Sequence, residues 1–149
     1  MIMKYKLLFP LMMTIVALCG CGSQRDVVVN AQAEFVASDI WVLVSIKGKE
    51  VTFAEGQKRV SIHVNPEAGT FGGNNGCNRY FGNFKDLGEG RMELSDINAT
   101  KMACPEAFHK IERNYMQLLR RCDGYSLGEY TLDLKQGETV LLTFEKVVK

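Results

Sequence analysis

The sequence predicts an α+β fold: a curved antiparallel β-sheet, barrel-like in outline, with one long α-helix packed on it. Three observations predict it. Apolar and polar residues alternate in short runs over most of the chain, which is the period of half-buried strands. The runs are joined by short turns, which makes neighbouring strands antiparallel. One stretch, Pro105 to Cys122, instead places apolar residues at steps of three and four, the period of an amphipathic helix. A chain of 149 residues, 46% hydrophobic and 23% charged, suits one domain with a packed core and excludes wholesale disorder. A net charge of +1 gives no basic field for nucleic acid, so no nucleic-acid partner is expected.

The first twenty residues stand outside that fold. Lys4 and Lys6 form a short positive region, and Leu7 to Leu18 is almost wholly apolar. This is the layout of a secretory signal peptide, and its apolar run is too short to span a bilayer comfortably. Leu18-Cys19-Gly20-Cys21 resembles the bacterial lipoprotein box. Cys21 fits its cysteine, with an aliphatic residue three before it and a small residue one before it. The resemblance implies that residues 1–20 are a lipoprotein signal peptide and that Cys21 is the acylated first residue of the mature protein. Two or more acyl chains on one residue anchor stably, where one chain is marginal. Removing residues 1–20 takes away two lysines and no acid. The mature chain is then near neutral, and its membrane attachment rests on the lipid. Residues 21–38 read as a lipidated tether and 39–149 as the folded domain.

Within that domain, Trp41, Leu43 and Ser45 alternate with Val42, Val44 and Ile46 until Gly48. Val51 to Phe53 is expected to pair back across Lys47-Gly48-Lys49. Val60, Ile62 and Val64 alternate with polar neighbours, and Asn65 to Gly69 form a turn. Thr70 to Gly73 and Arg79 to Lys85 are strands, as is Met92 to Ile97 after a turn over 87–90. On the helix, Phe108, Ile111, Tyr115, Leu118, Leu119 and Cys122 trace one face. Pro105 suits its first position and Glu106 the positive end of its dipole. Arg120 and Arg121 suit its last turn, and Gly124 suits the stop. Tyr125 to Leu127, Thr131 to Leu134 and Val140 to Glu145 complete the strands, the last two as a hairpin around Gln136-Gly137-Glu138.

The stretch FGGNNGCNRYFG, Phe71 to Gly82, has the glycines of a phosphate loop. Such loops lead into a helix; here the residues after Gly76 alternate as a strand, and no Gly-Lys-Ser/Thr follows. Asn74-Asn75-Gly76 instead supplies residues that tolerate positive φ in a tight turn. Gly82 permits close packing or a bulge.

With Cys21 acylated, three cysteines remain: Cys77, Cys104 and Cys122. A compartment outside the cytoplasm permits disulfides. Cys77 and Cys104 could meet where the helix packs on the sheet, and Cys122 reads as a small core residue. A thiol at a helix N-terminus is also the setting of a reactive cysteine, but no C-x-x-C is present. His63 and His109 have no ligand set at metal-binding spacing. Glu106, Glu112 and Arg113 read as a solvated helix face. No catalytic constellation emerges, and no cofactor or metal is expected.

Trp41-Val42-Leu43 with Ser45 and Gly48, then Gly76-Cys77-Asn78-Arg79-Tyr80-Phe81-Gly82, then Thr100-Lys101-Met102-Ala103-Cys104-Pro105-Glu106 together resemble the META/HslJ-like domain family. The resemblance runs from about Ile40 to Glu145. It implies a small β-rich fold with one helix, a pairing of Cys77 with Cys104, and motif positions at Gly76, Asn78, Tyr80, Gly82 and Thr100. A buried Asn78 or Thr100 would need hydrogen-bond partners, so a structural role is expected. Members are commonly bacterial envelope lipoproteins linked to heat-shock induction and novobiocin resistance, and the resemblance brings no catalytic residues. It implies a non-enzymatic protein lipid-anchored in the cell envelope, at the outer membrane facing the periplasm, serving stress tolerance or binding an envelope protein. A second reading is a carrier of a lipid or other hydrophobic ligand, because small barrels can enclose one and the family's fold has been likened to secretin pilot lipoproteins. Trp41, Phe71, Phe84 and Phe108 would then line a cavity.

Overall fold

In the computed structural model, residues 33–148 are described. The expected signal peptide, the acylation site Cys21 and the tether through residue 32 lie outside the described residues. Nine strands and one helix follow in the order β1 (Trp41–Ile46), β2 (Lys49–Glu50), β3 (Ser61–Asn65), β4 (Thr70–Asn74), β5 (Arg79–Gly88), β6 (Arg91–Ala99), α1 (Glu106–Leu119), β7 (Gly124–Leu127), β8 (Thr131–Gln136) and β9 (Thr139–Lys146). The α+β expectation stands. All strands are antiparallel and form one sheet in the order β2-β1-β3-β4-β5-β6-β7-β8-β9.

The sheet closes on itself. β1 also pairs with β9, from Trp41 opposite Lys146 to Ile46 opposite Leu142, and β2 is a short flap on β1. Closure leaves few unpaired strand edges. The thinnest seam lies between β6 and β7, which meet at the single pair Arg91 and Gly124. The helix is the connection between those two strands. Its apolar face buries Tyr115, Met116, Leu118 and Leu119. The Tyr115 ring meets Tyr80 of β5 at 5.6 Å and Phe144 of β9 at 6.3 Å, both edge-on. The helix therefore ties non-adjacent strands to one core, which also holds Trp41, Leu43, Ile62, Phe71, Phe84, Leu132 and Leu142.

Four element boundaries and packings depart from expectation, each for a local reason. β1 turns back after only two residues, Lys47 and Gly48, both at positive φ, so the return strand is Lys49–Glu50, and of the expected Val51 to Phe53 the Val51 N–H pairs back, to the Val44 carbonyl at 3.0 Å. Pro105 caps α1 with an extended ψ of 143° rather than opening it. The helix ends at Leu119 with Arg120 as its cap. Arg120 donates to the Met116 and Ile97 carbonyls, each at 3.2 Å, and Gly124 begins β7 instead of stopping the helix. Within the expected tether, Phe35 packs its ring on Phe84 at 5.6 Å and on Tyr125 at 5.1 Å. One aromatic residue among alanines and a few polar residues carries no period, so only packing reveals it.

Candidate functional site

The turn between β4 and β5 is built by side chains as much as by backbone. Asn74 Oδ1 accepts from the Gly76 N–H at 2.8 Å. Asn75 Oδ1 accepts from Cys77 at 3.1 Å and from Asn78 at 2.7 Å. Of the three residues expected to tolerate positive φ, only Gly76 adopts it, at 97°. The asparagines act as local acceptors. Asn75 is fully buried.

Cys77 and Cys104 are joined in a disulfide, with Cα atoms 6.0 Å apart. Cys104 is therefore no free thiol at the helix start. Cys122 is free and buried, donates to the Leu118 carbonyl at 3.3 Å, and has its pKa pushed up to about 12 by burial. It is a core residue just beyond the helix end.

Asn78 is the hub that joins the two motifs. Its Oδ1 accepts from the Met102 N–H at 2.7 Å and from the Thr100 hydroxyl at 3.0 Å. Its Nδ2 donates to Glu112 Oε1 at 2.7 Å. Thr100 Oγ1 in turn accepts from the Arg79 N–H at 3.2 Å. Asn78 is buried and thus has the partners that burial demands, whereas Thr100 is bonded although it is exposed. Glu112 corrects the reading of a solvated helix face. It is half-buried and accepts from Asn75 and Asn78 through Oε1, while its Oε2 lies 2.9 Å from His109 Nδ1. Burial alone would raise its pKa, but the hydrogen bonds from His109, Asn78 and Asn75 and the His109 charge together hold it below the ordinary value.

Tyr80 and Gly82 point into the barrel. The Tyr80 hydroxyl donates to the Ser61 carbonyl at 2.9 Å and lies 2.6 Å from the Tyr115 hydroxyl. Burial pushes the pKa of both phenols up. At Gly82 a Cβ would stand 2.7 Å from Phe71 Cε1 and 2.7 Å from the Ser95 carbonyl oxygen. The β5–β6 register shifts there, between Phe81 and Asn83. Of the four aromatics that would line a carrier cavity, Trp41, Phe71 and Phe84 are buried in the core and Phe108 is half-buried at its margin.

The outer wall offers concave surface. His63, Gly72 and Phe81 stand side by side across β3, β4 and β5. Gly72 has no side chain, so a trough opens between the two rings. Phe81 is 57% exposed. A groove of about 490 Å³ includes Lys58, Ser61, Asn74 and Arg79 beside His63 and Phe81. A second, of about 360 Å³, runs past Asn83, Asp96 and Asn98 beside the same two rings. At another place, a cleft of about 510 Å³ is lined by Phe35, Asp86, Glu89, Tyr125 and Leu127.

The META domain family model matches residues 34–148. The chain belongs to the META domain family. Three solved structures are similar to it. One is an NMR structure of a protein from Burkholderia xenovorans, 24% identical, with a TM-score of 0.60 over 74% of this chain and 83% of that one. A second NMR structure is 23% identical, with a TM-score of 0.55 over 74% and 90% of the two chains. A DUF4847 family protein from Bacteroides vulgatus is 17% identical, with a TM-score of 0.49 over 73% and 92%. The first two share the fold at identities that speak for fold alone. No curated protein matches the chain.

In this META domain both motifs serve one construction. The first makes the β4–β5 turn, the second leads into α1, and the disulfide, Asn78 and Thr100 fasten them together. The roles of Asn75 as a buried acceptor, of Glu112 as its partner and of Phe81 as an exposed ring are not those expected from the sequence. A signal for Glu112 was present: Phe108, Glu112, Tyr115 and Leu119 lie four, three and four apart, so the acid sits within the apolar stripe.

Proposed function

We propose that this META domain is a non-enzymatic, lipid-anchored binding module of the bacterial cell envelope, held at the outer membrane through Cys21 and serving stress tolerance by engaging a protein partner. The exposed Phe81 carries the reading. A large aromatic side chain facing outward between two grooves is the anchor type enriched at protein interfaces. The core supports it as well, because Tyr80, Tyr115, Phe71 and Phe144 occupy the interior with ring-to-ring contacts of about 6 Å. The test is a photo-crosslinking residue placed at Phe81 and, as control, at Glu138 in the β8–β9 turn, in intact membranes. One reproducible adduct from position 81 and none from 138 is the expected result. No adduct from position 81 or from neighbouring His63 and Asn83 would sink the reading.

The cleft beside Phe35 favours a second reading, carriage of a hydrophobic ligand, because aromatic rings line it next to open space. Native mass spectrometry distinguishes the two. Extra mass that vanishes on denaturation supports the carrier, and a bare chain supports the binding module.

A further inference from the structure

We infer that the groove between β3 and β5 takes an acidic peptide segment, its carboxylates meeting Lys58 and Arg79 and an apolar side chain lying against Phe81. This deepens the binding-module reading and rests on it. The residues that line this groove include Lys58, His63 and Arg79 and no carboxylate. Among the described residues the ion pairs are Lys146 with Asp39 and His109 with Glu112. Lys58 and Arg79 thus bring uncompensated charge to the groove, and both are exposed. The concentration is local, because the whole chain carries a net charge of +1. An arginine beside an aromatic ring is suited to carboxylate recognition, its planar fork donating to two oxygens at once.

The occupant is held by its side chains and not by strand addition. β4 is hydrogen-bonded on both sides, to β3 and to β5, so the floor of the groove offers no free backbone row. A headgroup phosphate could satisfy the cations but would leave the Phe81 ring without a partner. A bilayer surface is flat where this site is concave. A peptide that alternates acidic and apolar residues satisfies both halves of the groove.

The test uses the full-length chain in zwitterionic detergent and fluorescein-labelled peptides of alternating Glu and Leu, Ser and Leu, or Lys and Leu, read by anisotropy. The Glu-Leu peptide is expected to bind and to weaken as salt rises from about 0.05 to about 0.5 M. The double variant Lys58→Glu/Arg79→Glu should weaken it about tenfold or more, and Phe81→Ala should weaken it comparably. All three side chains are exposed, and an unchanged thermal melt verifies that the variants fold. Equal binding of the Ser-Leu peptide, insensitive to charge reversal but lost in Phe81→Ala, would overturn the acidic specificity and leave the binding surface standing. Full competition by glycerophosphoglycerol would overturn the peptide in favour of a lipid headgroup. No binding by any peptide up to about millimolar concentration overturns the inference. The binding-module reading falls with it only if the crosslinker at Phe81 also traps nothing.

Discussion

The Asn78 side-chain amide donates to the Glu112 carboxylate at 2.7 Å, the shorter of the two bonds, with that from Asn75 at 3.3 Å, that join the β4–β5 turn to the middle of the helix. Through the other end of the same amide, Asn78 also holds Met102 and Thr100 on the way into that helix. With the Cys77–Cys104 disulfide, this side chain fixes how the connection after β6 crosses to α1.

Asn78→Ala removes that hub. It leaves the Met102 N–H and one bond to a half-buried carboxylate unmet, so the variant should lose about 2 to 3 kcal/mol of stability. Urea unfolding followed by circular dichroism measures it. A loss below about 0.5 kcal/mol would mean that water replaces Asn78 without penalty.

Acid should weaken the same junction. The Glu112 carboxyl is held below its ordinary value of 4.5, so it titrates lower in the folded than in the unfolded chain. Its contribution is fully present above about pH 4.5 and is lost as pH falls through the folded value. Glu112→Gln should be less stable than the parent at pH 7, and the gap should narrow as pH drops below that window. Thermal melts of both proteins across pH 3 to 7 check the sign, and a constant gap would exclude Glu112 from the acid response.

The disulfide should matter through the unfolded chain. It closes a separation of 27 residues, which the chain-entropy model values at about 3 to 4 kcal/mol. Cys77→Ser or Cys104→Ser should lower stability by that order, whereas Cys122→Ala should act only through its small buried volume. Intact mass of the oxidised protein should fall about 2 Da below the reduced chain, with Cys122 still open to alkylation after unfolding.

Gly82→Ala tests close approach. Its Cβ would press on the Phe71 ring and on the Ser95 carbonyl of the neighbouring strand, each at 2.7 Å. A backbone atom cannot rotate away, so a loss of about 1 to 3 kcal/mol is expected from denaturant unfolding. A neutral substitution would show that β6 shifts freely at its bulge.

Much of the fold was legible because strands and turns write themselves locally. Val60, Ile62 and Val64 alternate whatever they pair with, and the helix stripe from Phe108 to Leu119 needs no partner to be seen. Helix ends were less legible. Pro105 and Gly124 carry the right chemistry for a start and a stop, yet tertiary bonds placed the boundaries elsewhere: Arg120 caps α1 by reaching back to Met116 and across to Ile97.

By itself the sequence determined the strand and helix periods, the turn at Gly76 and the family motifs around Asn78 and Thr100. Tertiary structure decided the rest. The pairing of β1 with β9 closes the barrel, and an open sheet would show the same alternation in those strands. Only packing set Phe35 on Tyr125, placed Glu112 under Asn78 and left Phe81 facing outward. The physical reason is common to all of these. Period and propensity act between residues close in the chain, whereas closure, burial of a charge and exposure of a ring depend on which distant segment arrives beside them.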